Sequence, residues 1–157
     1  MSLVSLRYRF RQPFPVPARA AFAWCTDFGP GDGRLFLART ERRVDRLADD
    51  TIVLTDTTYP NGARRRIRRL VRLHPAAMAW TNTHLDGPFR YSQYWYRVVP
   101  DGARRSHLEF DGFRLVQRPG RPSATEVARL AAAECAGDAK TWREQLAPAL
   151  VRDVRGR

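Results

Sequence analysis

Val4, Leu6, Tyr8 and Phe10 alternate with Ser5, Arg7, Arg9 and Arg11 near the start of the chain. That period of two predicts a half-buried strand over 4–12. Pro13, Pro15 and Pro17 end it, and Pro17 suits the first turn of a helix with apolar positions at Ala18, Ala21, Phe22, Trp24, Cys25 and Phe28. The helix should stop by Gly29. Gly29, Pro30, Gly31 and Gly33 then read as a loop, with 35–37 either a second short helical piece or a turn that buries Phe36.

Beyond Ala38 the pattern changes to short extended runs separated by turn residues. Strands are predicted over 40–47, 51–59, 64–74, 78–84, 89–99 and 105–116, in antiparallel succession. Asn61-Gly62 marks a hairpin, because both residue types tolerate positive φ. After Pro119, Gly120 and Pro122 the period lengthens. Ser123 precedes Glu126 at capping-box spacing, and Val127, Leu130, Ala131, Glu134, Cys135, Asp138, Trp142, Leu146 and Ala149 recur at three- and four-residue steps. This predicts one long helix from Ser123 to about Val154. Its sheet-facing stripe is small in the middle and bulky towards the end, so helix and sheet enclose either packed core or a cavity.

A chain of 157 residues fits a single domain, 1–157, with one core. No window approaches the roughly 18 apolar residues of a membrane span. Arg7 and Arg9 occupy the place where a signal peptide needs an apolar run, so a soluble cytoplasmic protein is expected. Cys25 and Cys135 lack zinc-site or redox-pair spacing and are expected as buried free thiols. The formal net charge is +12, and Lys140 is the only lysine. Arginine suits phosphate, nucleic acid or an anionic membrane, but here it is spread along the whole chain, which favours a plain preference for arginine as surface cation. No nucleophile elbow, glycine-rich phosphate loop, zinc spacing or cofactor fingerprint occurs, and neither cofactor nor metal is expected.

Particular residues carry a resemblance. They are Phe14-Pro15-Val16-Pro17 with Ala21-Phe22-Ala23-Trp24 and Asp27-Phe28, Trp80 to His84 with Gly87-Pro88 and Tyr91-Ser92, the turn from Val98 to Gly102, and Leu108 to Gly112. With the element order, they resemble the polyketide cyclase/dehydrase and lipid transport superfamily (SRPBCC), related to START domains and the birch pollen allergen. The resemblance implies an α+β helix-grip fold: a curved antiparallel sheet of about seven strands around a long C-terminal helix, with one or two short helices after the first strand. It also implies a cavity between sheet and helix, entered near the short second helix.

Strand alternation nominates the lining. Arg90, Ser92, Tyr94, Tyr96 and Val98 point inward if Arg97 faces solvent; the neighbouring strand offers Leu108, Phe110 and Gly112, and the strand before offers Met78, Trp80, Asn82 and His84. Trp142 and Leu146 close the space from the helix. Asn82 and His84 on one face could orient a carbonyl or move a proton, whereas a surface His84 paired with Asp86 is the competing reading. Arg69 shares a strand face with Ile67, Val71 and Leu73, so it needs an acidic partner or an anionic ligand. His107, Glu109 and Asp111 share a face expected to meet water. The expected function is binding of a hydrophobic or aromatic, lipid- or polyketide-like small molecule through Arg69, Trp80, Asn82, His84, Tyr94, Tyr96, Leu108, Phe110, Trp142 and Leu146. The alternative is a cyclase or dehydratase using His84 and Tyr94 in the same cavity. Nucleic-acid or anionic-membrane binding through an arginine-rich face is a third, less favoured reading.

Overall fold

The computed structural model describes residues 1–156. Seven antiparallel strands form one sheet in the order β1-β7-β6-β5-β4-β3-β2. They are β1 (Ser2–Phe14), β2 (Thr40–Ala48), β3 (Thr51–Thr58), β4 (Arg65–His74), β5 (Ala79–His84), β6 (Gln93–Pro100) and β7 (Ser106–Arg118). After β1 come α1 (Ala18–Thr26) and a 3₁₀ turn (Pro30–Leu35); α2 (Ala124–Thr141) and α3 (Ala147–Arg155) close the chain. This is the helix-grip architecture expected from the sequence.

Several boundaries moved for identifiable reasons. β1 runs through Pro13 because it is an edge strand paired only with β7, so a missing amide on its outer side costs nothing. The short helical piece is Pro30–Leu35, mostly within the stretch expected as a loop, while Phe36 is extended and half-buried. Asn61 and Gly62 both take positive φ, as the hairpin signal required. β6 starts only at Gln93, since 89–92 belong to the turn from β5; Arg90 is therefore exposed and stacks over Tyr91 instead of pointing inward.

The final helix is not continuous. Ser123 caps α2, its Oγ accepting from the Glu126 amide at 3.2 Å. Trp142–Leu146 then forms a π turn, with the Ala147 amide donating to the Trp142 carbonyl. Pro148 explains the change: it has no amide for the Glu144 carbonyl and its ring would crowd that carbonyl, so the helix widens just before it.

The core beneath α1 and α3 is built from Phe14, Val16, Ile52, Leu54, Val71, Val98, Leu108 and Leu150, each at most 2% exposed. A smaller cluster of Val4, Leu6 and Val116 receives Val127, Leu130 and Ala131 of α2. Between the two, small residues on α2 leave space. Cys25 is buried and free, but Cys135 is only half-buried, with its thiol directed at the Arg9 carbonyl. His107 also departs from expectation. It lies on the outer face of β7 yet is buried, covered by Arg11, Asp101 and Glu109.

Candidate functional site

Sheet, α1, the 3₁₀ turn and the final helices enclose a cavity of about 300 Å³. That is the lower end of the range for small-ligand sites. The sheet supplies Leu54 from β3, Arg69 from β4, Trp80, Asn82 and His84 from β5, Tyr94 and Tyr96 from β6, and Phe110 and Arg114 from β7. These strands run side by side, and each places alternate residues on the concave face. Asp138, Thr141, Trp142 and Leu146 form the opposite wall, while Trp24, Phe28, Leu35, Phe36, Arg42 and Asp153 stand towards α1 and the 3₁₀ turn.

The aromatic wall is continuous. Trp80 stacks parallel on Tyr96 at 4.8 Å, Tyr96 meets Phe110 edge-on at 5.1 Å, and the His84 ring meets Tyr94 edge-on at 5.4 Å. Burial holds the Tyr96 hydroxyl protonated by raising its pKa.

Two groups of buried charge interrupt this wall. In the first, Arg42 grips Asp56 through Nε at 2.8 Å and a second nitrogen at 2.9 Å, and Arg69 binds the same carboxylate. Burial alone would raise the Asp56 pKa, but the two guanidinium groups outweigh it and hold it below the ordinary carboxylate value. Arg42 also reaches Asp32 at 3.5 Å and stacks over Phe36, tying the 3₁₀ turn to the sheet.

In the second group, Arg114 donates through Nε to the Tyr94 hydroxyl at 2.9 Å and through its other nitrogens to Glu134 and to Asp138 at 3.2 Å. The Tyr8 hydroxyl donates to the same Asp138 oxygen at 2.6 Å. Burial opposes the Arg114 charge, yet Tyr94, Asp138 and Tyr8 together raise its pKa. Gly112 makes this geometry possible, because a Cβ there would stand 2.9 Å from the Phe110 ring and 3.0 Å from the Tyr8 ring.

Three polar atoms on the sheet wall have no partner among the described residues: Arg69 Nε, Asn82 Oδ1 and His84 Nδ1. They are neighbours by register, since Arg69 pairs with His84 across β4 and β5, and Asn82 lies two residues along the same face. Burial, followed by the charges of Arg69 and Arg114, pushes the His84 pKa down to about 4. At neutral pH it is therefore an uncharged imidazole inside the protein. The competing surface reading of His84 fails, because Asp86 instead receives the Arg68 amide and guanidinium, both at 2.7 Å.

Of the sequence-nominated lining, Arg69, Trp80, Asn82, His84, Tyr94, Tyr96, Phe110, Trp142 and Leu146 meet at the cavity. Leu108 does not. It is completely buried in the core cluster under α1, one inward position before Phe110. Ser92 is likewise buried away from the cavity and accepts from the Leu115 amide. Sequence reasoning missed Arg42, Asp56 and Arg114. The signal for Asp56 was its place after Ile52 and Leu54 in the inward phase of β3, and for Arg114 its place after Leu108, Phe110 and Gly112 in β7.

No family model and no curated protein matches the sequence. Solved structures do match in shape. The Zhui aromatase/cyclase from Streptomyces sp. R1128 superposes with a TM-score of 0.72 at 13% identity, over 98% of this chain and 97% of that one. Norcoclaurine synthase from Thalictrum flavum, in complex with dopamine and hydroxybenzaldehyde, gives 0.70 at 13% identity, over 99% and 90%. A START superfamily protein from Mycobacterium smegmatis gives 0.66 at 14% identity, over 96% and 98%. The chain thus has the helix-grip fold shared by SRPBCC and START-like proteins.

Proposed function

We propose that the protein binds a flat, largely apolar aromatic or polyketide-like molecule in this cavity, with its oxygen-bearing end against Arg69, Asn82 and His84. The observation that carries the reading is the row of three unpartnered polar atoms on a wall otherwise made of aromatic rings, Leu54 and hydrogen-bonded charges. A buried polar group without a hydrogen bond costs about 1–3 kcal/mol, and a ligand that satisfies the row recovers that cost on binding. The needs are specific. Arg69 Nε requires an acceptor, Asn82 Oδ1 requires a donor, and neutral His84 serves as either. A ketone beside a hydroxyl meets them, and the volume accommodates about two or three fused rings. Similarity in fold to an aromatase/cyclase and to a synthase crystallised with two aromatic compounds supports the same ligand class.

The test is titration of tryptophan fluorescence with 1,8-dihydroxyanthraquinone and with anthracene. The hydroxyketone should bind at least ten times more tightly than the hydrocarbon, and Arg69→Met and Asn82→Leu should each reduce that preference, since every 1.4 kcal/mol is tenfold. Equal affinity for both compounds, or a preference unchanged in both variants, would sink the reading.

A second reading, cyclisation or dehydration of a polyketide-like chain, draws support from His84. A neutral imidazole beside the Arg69 guanidinium can hold the enol hydroxyl of a carbonyl substrate whose enolate the guanidinium stabilises. Turnover of a reactive β-polyketone that disappears in His84→Phe, while binding of the dihydroxyanthraquinone persists, would establish this reading over binding alone.

A further inference from the structure

The antiparallel order sorts the arginines by sheet end. One end gathers the start of β1, the close of β7, the β3–β4 and β5–β6 turns and the entry to β2, because Ser2 pairs with Arg118 and Thr40 with Thr58, which precedes the turn to Arg65. Arg64, Arg65, Arg66, Arg118 and Arg121 stand exposed there, and none forms an ion pair with a described residue. The carboxylates at that end are Glu41 and Asp86, already held by Arg39 and Arg68, and Glu126 at the start of α2. The other end carries Arg11, Arg46, Arg72, Arg104 and Arg105 with Asp49, Asp50 and Asp101, and Arg11 and Arg72 are ion-paired there. The run of three exposed, unpaired arginines from Arg64 to Arg66 at the β3–β4 turn has no counterpart at the other end.

Three large apolar side chains meet solvent at or beside the basic end, against Leu47 at the other. Leu37 is 89% exposed, Leu3 65% and Tyr91 60%. Leu37 directly follows Leu35 and Phe36, both of which line the cavity. We infer that this end of the sheet docks on an anionic lipid bilayer, its arginines on the headgroups and Leu37, Leu3 and Tyr91 in the interface, beside the cavity's α1-side wall. Basic side chains around protruding apolar ones are the physical signature of interfacial binding. A nucleic acid would make no use of the aliphatic pair, and one ring face of Tyr59 and of Tyr91 is already covered by Arg39 and Arg90 at 4.8 and 4.6 Å, which leaves less for base stacking. Docking does not depend on what the cavity holds, so its test stands apart from the ligand titration.

The experiment is co-sedimentation of the full chain with phosphatidylcholine vesicles, with and without phosphatidylserine, across a salt series. Binding is expected only with phosphatidylserine and should weaken as salt rises. R64E/R65E/R66E should lose at least tenfold and Leu37→Ser severalfold, while R104E/R105E at the opposite end, with the near-ultraviolet circular dichroism of all variants unchanged, should retain most of it. The inference is overturned by absence of vesicle binding, by equal loss in R104E/R105E, or by tighter binding of a single-stranded oligonucleotide that ignores Leu37→Ser.

Discussion

Arg69 and Arg114 stand on the same concave face, three strands apart in sheet order, and both are mostly buried. They are used differently. Arg114 has each of its nitrogens engaged, by Tyr94, Glu134 and Asp138, and lies over the rings of Phe89, Tyr8 and Tyr94. Arg69 shares a carboxylate that Arg42 already grips with two hydrogen bonds, and its Nε points to no partner. A guanidinium with every donor used fastens the helix to the sheet. One with a donor left over, beside an aromatic wall, is prepared for a ligand. The contrast lies in satisfaction of hydrogen bonds, since charge and burial are similar.

The comparison can be broken by removing its members in turn. Arg114→Met should have the largest effect, about 3 kcal/mol of stability in urea unfolding, because it strands two carboxylates against the sheet. A loss below 1 kcal/mol would show that this network does not fasten α2. Tyr8→Phe removes the 2.6 Å bond to Asp138 but leaves Arg114 in place, and should cost about 1.5 kcal/mol. Stability measured against pH probes His84 directly. Its pKa is about 4 in the fold against an ordinary 6.5, so below pH 6.5 the unfolded chain takes up a proton that the native state refuses. This contribution is intact above 6.5 and is lost as the pH falls towards 4, by at most about 1.4 kcal/mol per unit. His84→Phe should flatten the profile in that window; an unchanged slope would contradict a buried neutral His84. Arg69→Met should be mildest for stability, under about 1 kcal/mol, because Asp56 keeps the Arg42 fork. Its cost should appear instead in ligand affinity, and a stability loss as large as that of Arg114→Met would erase the distinction drawn between the two.

The period of two in β4, β5 and β6 sufficed to place Arg69, Asn82, His84, Tyr94 and Tyr96 on one wall, because phase along a strand is set by local alternation. The element order was legible for the same reason. What alternation could not supply was depth. Leu108 and Phe110 share a face, yet only Phe110 reaches the cavity; α1 and α3 pack over Leu108, and that packing is decided far away in the chain. Partners were hidden likewise. Nothing near Arg69 in sequence announces Asp56, 13 positions earlier, or joins Arg114 to Asp138, 24 positions later. Arg90 was misplaced because the turn after β5 continues to Ser92, where the Ser92 amide donates to the Phe89 carbonyl. The break in the last helix was readable in Pro148, whose missing amide forbids the α-helical bond to Glu144.

That break sets α2 and α3 out of phase. A π turn takes up one residue more than regular winding, so each half can aim its own stripe at its own neighbour: α2 towards β1, and α3 towards α1. Trp142 and Leu146, inside the turn, both border the cavity. For engineering, the length of this stretch is therefore a variable distinct from its composition. Deleting a single residue such as Arg143, together with Pro148→Ala, would put the two halves back in one continuous winding and swing one stripe away from its neighbour. It would recast the cavity without altering any side chain on the sheet.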